Sequence, residues 1–224
     1  MDLNTHWLLW QILDSGFPTG GFAHSSGLEA AWQHGEVPNR QELQGFAQAA
    51  LWQAGRSQLP FVFATCRHPE RLAEVDDLYH AFTSNHVANR ASRAQGRALT
   101  TALQRVFSHP REPNPLPIES PAPPGHPHFA PAFGAAMQRC GVDELSAAFA
   151  FLFNHLRGLL ASAVRLNSIG PMEAQALQFQ LSPLARQIAE HCATLDIEDA
   201  AQSAPLLDLW QGAQDRLYSR LFQS

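Results

Sequence analysis

There is no lysine among the 224 residues; all 15 basic residues are arginine. This absence excludes a lysine Schiff base, a lysine general base and the lysine that completes a phosphate-binding glycine loop. β-Branched residues are also scarce, with 7 Val and 5 Ile against 34 Ala and 28 Leu. Ala and Leu lose little on entering a helix, whereas a pleated sheet favours the branched side chains that are few here. The three cysteines, Cys66, Cys140 and Cys192, are odd in number and far apart. They make no disulfide framework and read as buried thiols in a reducing compartment. A formal net charge of −5 is mild, and gives no electrostatic case for nucleic acid. Met1-Asp2-Leu3-Asn4 lacks the basic stretch that precedes the apolar core of a secretory signal. The most apolar run, 147–166, carries Asn154, His155 and Arg157 near its middle, which marks a core helix and not a membrane span. The expectation is a cytoplasmic, all-α, single-domain helical bundle over 1–224.

Apolar spacing sets out the helices. Residues 3–13 form a short one rich in Trp and Leu, ended by Asp14-Ser15-Gly16. After a loop over 15–22 the chain re-enters a helix near Ser25 or Ser26, with Gly35 as its stop. Asn39 and Glu42 have the spacing of a capping box, and Leu43, Phe46, Ala47, Ala50, Leu51 and Ala54 follow at helical intervals. Pro60 is expected to break or kink that helix, with 61–64 opening the next. Pro69 starts another, and a long helix follows through Val87, Ala91, Ala94, Ala98 and Val106. Arg90, Arg93 and Arg97 share one face of it, and no acidic residue lies between Asp77 and Glu112 to pair with them locally. Residues 109–131 hold nine of the 16 prolines and read as an extended loop. Further helices are expected over 143–167 and over 172–192, the latter interrupted at Pro183. The segment 204–224 keeps Leu221 and Phe222 at its extreme end. Such a tail packs on its own domain or docks on another chain.

No motif supplies chemistry by itself. Gly20, Gly21 and Gly27 do not have phosphate-loop spacing. His24-Ser25-Ser26-Gly27 sets a histidine beside two serines, but outside the strand–elbow–helix of a hydrolase, so a serine here reads as a helix cap. Eleven histidines are present, yet none has the i, i+4 or paired-cysteine spacing of a dedicated metal site. His126 and His128, in the Pro-rich loop, are the weak candidates for a metal contact. Asp76-Asp77 and Glu198-Asp199 look like solvated helix ends.

Three ordered stretches resemble the UreF family of urease accessory proteins. The first is Ser15-Gly16-Phe17-Pro18-Thr19-Gly20-Gly21-Phe22-Ala23-His24-Ser25-Ser26-Gly27-Leu28-Glu29, similar to the family's Ser-x-x-Pro-x-Gly-x-Phe-x-x-Ser-x-Gly-Leu-Glu. The second is Arg93-Ala94-Gln95-Gly96-Arg97, and the third is Tyr218-Ser219-Arg220-Leu221-Phe222-Gln223-Ser224. The chain departs from the family pattern at His24, where Tyr is usual, at Gln214, where His is common, and at Ser168-Ile169-Gly170-Pro171. The resemblance implies a non-catalytic helical homodimer with no cofactor of its own. It would bridge a UreD (UreH)-type protein and the GTPase UreG while nickel passes to apo-urease. Tyr218, Arg220, Leu221 and Phe222 are then expected to dock on the UreD-type partner. Pro18, Gly20, Phe22, Ser25 and Glu29 are expected to shape a partner or dimer surface, and Arg93 and Arg97 to hold that loop or the tail through carboxylates. The competing reading is a helical nickel carrier using His126 and His128.

Overall fold

A computed structural model describes residues 2–107, 125 and 127–224. Among these residues the chain is all α-helical, as its composition implies, with nine α-helices and short 3₁₀ turns between them. The helices are α1 (Leu3–Leu13), α2 (Leu28–Gln33), α3 (Arg40–Arg67), α4 (Leu72–Phe82), α5 (His86–Phe107), α6 (Phe129–Arg139), α7 (Glu144–Arg165), α8 (Pro171–Cys192) and α9 (Pro205–Ala213). Side-chain caps define several starts. Asp2 accepts from Thr5 N at 2.7 Å, Asn39 from Glu42 N at 3.0 Å and Asp143 from Ser146 N at 2.9 Å, each satisfying an amide that the first turn leaves unpaired.

The core is one contiguous apolar cluster built around α3, α6, α7 and α8. Phe61, Phe63, Phe133 and Phe151 are its largest fully buried side chains. Glycine sets the closest crossing. A side chain at Gly134 of α6 would collide with the Val62 carbonyl of α3, so these two helices approach backbone to backbone. α7 is long and apolar enough to cross a membrane by composition, but 56% of its apolar window is buried within the protein, as a core helix requires.

Three expectations about proline are corrected. α3 runs unbroken through Pro60 to Arg67. The carbonyl that Pro60 cannot bond, that of Arg56, accepts from Ala201 N at 3.1 Å. α8 likewise runs through Pro183, where the Phe179 carbonyl accepts from the Ser182 hydroxyl at 2.8 Å. In both, a donor other than the helical backbone amide replaces the lost ladder bond, so the helix survives. The Pro-rich loop also ends earlier than its composition suggests. Pro131 lies in the first turn of α6, where an N–H would have no helical partner anyway. His126 and all of 108–124 lie outside the described residues.

Candidate partner-docking surface

After α9 and a 3₁₀ turn at Gln214–Arg216, the chain folds back as an irregular strap over 217–224. The strap is latched on the loop at 20–29 by a dense set of bonds. Its centre is Glu29, on the first turn of α2 and only 1% exposed. One carboxylate oxygen of Glu29 accepts from Leu221 N at 2.6 Å. The other accepts from Phe222 N at 3.1 Å and from Gln214 Nε2 at 2.5 Å. Gln33 Nε2 adds a longer bond at 3.5 Å; buried carboxylates persist where donors surround them, as these four do here.

Further along, the strap pairs with the loop backbone. Gln223 N donates to Ala23 O at 2.8 Å, and Ser25 N donates to Ser224 O at 2.5 Å. The Ser25 hydroxyl donates to the same Ser224 oxygen at 3.1 Å, and the Ser224 hydroxyl lies 2.5 Å from His24 Nδ1. Burial holds the His24 imidazole down at about 4, helped by the nearby Arg90 charge. His24 is therefore a neutral hydrogen-bonding partner at pH 7. Gly27 supplies the bend beneath the strap. Its φ of +84° lies in the left-handed region, and an added Cβ would sit 2.8 Å from Gln211 N.

Asp215 pins the outer side. Arg90 donates to its two oxygens at 2.8 and 3.0 Å, with Arg220 at 3.1 Å and His86 at 3.2 Å. The Arg90 bond is the main cause that lowers the Asp215 carboxyl. This corrects the expectation for the arginine stripe. Asp215 faces the first turn of α5, so His86 and Arg90 reach it, one turn apart. Arg93 and Arg97 lie further along, and no carboxylate among the described residues pairs with either. Arg97 is exposed and Arg93 half-buried.

The remaining expected site residues fall into two groups. Phe222 is 3% exposed, with the Arg165 guanidinium 4.3 Å above its ring, so its side chain belongs to the interior. Ser25 and Glu29 are buried with it. Pro18, Phe22, Arg220 and Leu221 face outward, and Tyr218 is fully exposed. Gly20 (φ +73°) opens the 3₁₀ turn that carries Phe22, whose carbonyl accepts from Arg165. Leu206 and Leu209 of α9 add two more exposed apolar side chains. These two were not singled out in the sequence; their i, i+3 spacing beside the tail was the available signal.

The histidine candidates stand apart from the strap. His128 is fully buried as the residue before α6. Its N–H donates to Asp76 at 2.7 Å, and its Nε2 lies 3.1 Å from His80 Nδ1. Among the described residues there is no group of three or more His, Cys, Asp or Glu placed to hold a metal ion.

A urease accessory protein F from Arabidopsis thaliana is 37% identical over 224 residues, covering 97% of this chain and 92% of the relative. The protein of the same name from Oryza sativa subsp. indica is 36% identical over 231 residues, covering 99% of this chain and 86% of the relative. A urease accessory protein UreF from Trichodesmium erythraeum is 27% identical over 227 residues. Residues 37–182 match the UreF family model, and with relatives at this identity over nearly its whole length the chain belongs to the UreF family.

Proposed function

We propose that this chain is a non-catalytic scaffold of urease maturation in the cytoplasm. It works as a homodimer that bridges a UreD (UreH)-type protein and the GTPase UreG while nickel passes to apo-urease. The observation that carries this reading is the latched strap: a buried carboxylate fixes the backbone at Leu221 and Phe222, while Tyr218 projects fully into solvent. An exposed aromatic on a strap whose backbone is already fixed suits an interface anchor, because less entropy is lost when it docks. Tyr218, Leu221, Leu206 and Leu209 would supply the apolar contact and Arg220 a charged rim. Phe222 anchors the strap from inside. Pro18 and Phe22 extend the same surface through the loop, whose shape Gly20, Ser25 and Glu29 set. Arg97 offers a free cation to an acidic partner, with Arg93 behind it.

Co-purification of the chain with its host's UreD- and UreG-type proteins, read by size and mass, tests the proposal. Removing 215–224, or replacing Tyr218 with Ala while the fold is kept, should abolish or sharply weaken the UreD-type complex. Intact complexes with both variants would overturn the assignment. The nickel-carrier reading makes a different demand: tight, stoichiometric nickel binding by the isolated chain in equilibrium dialysis. No cofactor of the chain's own is part of the scaffold reading.

A further inference from the structure

Positive charge is gathered on one face against the balance of the chain. α5 and the segment 214–224 hold six arginines and one carboxylate, Asp215, whereas the whole chain is −5. Asp215 shares its two oxygens among Arg90, Arg220 and His86, so one negative charge serves two arginines. Arg93 and Arg97 follow Arg90 on the same face of α5. Neither has a carboxylate partner among the described residues, and Arg97 is exposed. Glu29, beneath the strap, is buried and taken up by the amides of Leu221 and Phe222. Tyr218 and Leu221 stand exposed on the strap with Arg220.

We propose that this face recognises an acidic protein surface, one that offers an apolar seat for Tyr218 and Leu221 and carboxylates for Arg97 and Arg220. The inference rests on the docking reading for its place on the molecule and adds the chemistry of what docks there. A guanidinium presents paired N–H donors in one plane, which match the two oxygens of an aspartate or glutamate. The net charge of the chain does not cancel this attraction, because at physiological salt a charge is felt over only about 8 Å. Local charge therefore decides what approaches. Duplex DNA fits less well, since its phosphates continue past this short face onto a body that is net negative. Arginines at the rim of an apolar contact act mainly on encounter, raising the rate of association more than they slow release. A buried aromatic anchor acts mainly on release. Arg97 and Arg220 thus gather the partner, and Tyr218 holds it.

Two peptides, hexaglutamate and hexaglutamine, test the chemistry without any partner protein. Each is titrated into the full chain at low salt and followed by the arginine Nε–H resonances. Hexaglutamate is expected to give a saturable shift at Arg97 and Arg220 that hexaglutamine does not, and about 0.5 M salt should weaken its binding at least about tenfold. Arg97→Glu should weaken it at least about fivefold. Arg186→Glu makes the same change of charge at an exposed site on α8, and should leave the affinity as it was. The variants are then mixed with the host's UreD-type protein. Arg97→Glu should slow association at least about threefold at low salt with little effect on dissociation, whereas Tyr218→Ala should speed dissociation. The absence of a saturable hexaglutamate shift overturns the proposal. So does equal weakening by Arg97→Glu and Arg186→Glu, or tighter binding of duplex DNA through Arg97. Hexaglutamate binding without a UreD-type complex removes the docking reading and leaves the acidic preference standing; a complex without hexaglutamate binding does the opposite.

Discussion

Glu29 carries more of the candidate site than any other side chain. It is charged, almost fully buried, and bonded to two backbone amides of the strap. Glu29→Ala would leave those amides without an acceptor and Gln214 with only the Phe222 carbonyl, at 3.3 Å, at a cost of about 2–5 kcal/mol. Hydrogen exchange should show the Leu221 and Phe222 amides losing protection before the core does. Unchanged protection there would refute the latch. Gln214 explains one departure from the family pattern in physical terms. Its amide Nε2 donates to Glu29 at 2.5 Å, a task that a histidine N–H at the same position also performs. Gln214→His is therefore expected to preserve the strap, with a change in melting temperature of no more than a few degrees, whereas Gln214→Ala should release it. The sequence made Glu29, Ser25 and Phe222 legible as important positions but not their direction. Nothing local says that Phe222 points inward and Tyr218 outward, because that depends on a carboxylate 193 residues away.

Elements were more legible than their ends. Apolar spacing and caps placed α1, α5, α7 and the start of α3 closely, since both signals act within a few residues. Pro60 and Pro183 misled for the opposite reason. Whether a proline ends a helix depends on what else bonds the carbonyl four residues earlier, and for Pro60 that donor is Ala201. The arginine stripe of α5 behaved alike: its phase was readable, but not that Asp215 would face Arg90 instead of Arg93 or Arg97. Gly96, in the middle of that helix, has a role that spacing alone does not reveal. A side chain there would strike the Pro127 carbonyl and the His128 backbone, so α5 needs the glycine to let that backbone pass. Gly96→Ala is expected to destabilise the fold by about 2–4 kcal/mol despite the better helix propensity of alanine. A denaturant titration showing equal or greater stability would contradict this.

At the scale of the whole molecule, composition was the reliable guide. The Ala- and Leu-rich chain makes an all-helical body around one apolar cluster, because burial of that surface is the main force available to it. Its pH response follows from two histidines. His24 and His155 fall from 6.5 to about 4 on folding. Between those values the unfolded chain binds protons that the folded chain refuses, so stability is full above about 6.5 and declines as the pH drops toward 4. Each group contributes on the order of 1–3 kcal/mol to that decline. Guanidinium midpoints should be highest near pH 7 and fall by pH 4.5, and His155→Phe should flatten the slope. A midpoint that does not move across this range would refute the account. The bond from Ala201 to the carbonyl stranded by Pro60 has a consequence in time as well as in space. On the ribosome, α3 emerges early, but the amide that bonds its Arg56 carbonyl is made about 145 residues later. Until then the Arg56 carbonyl can bond only water, so the rung that Pro60 removes from the longest described helix is replaced long after that helix has left the ribosome.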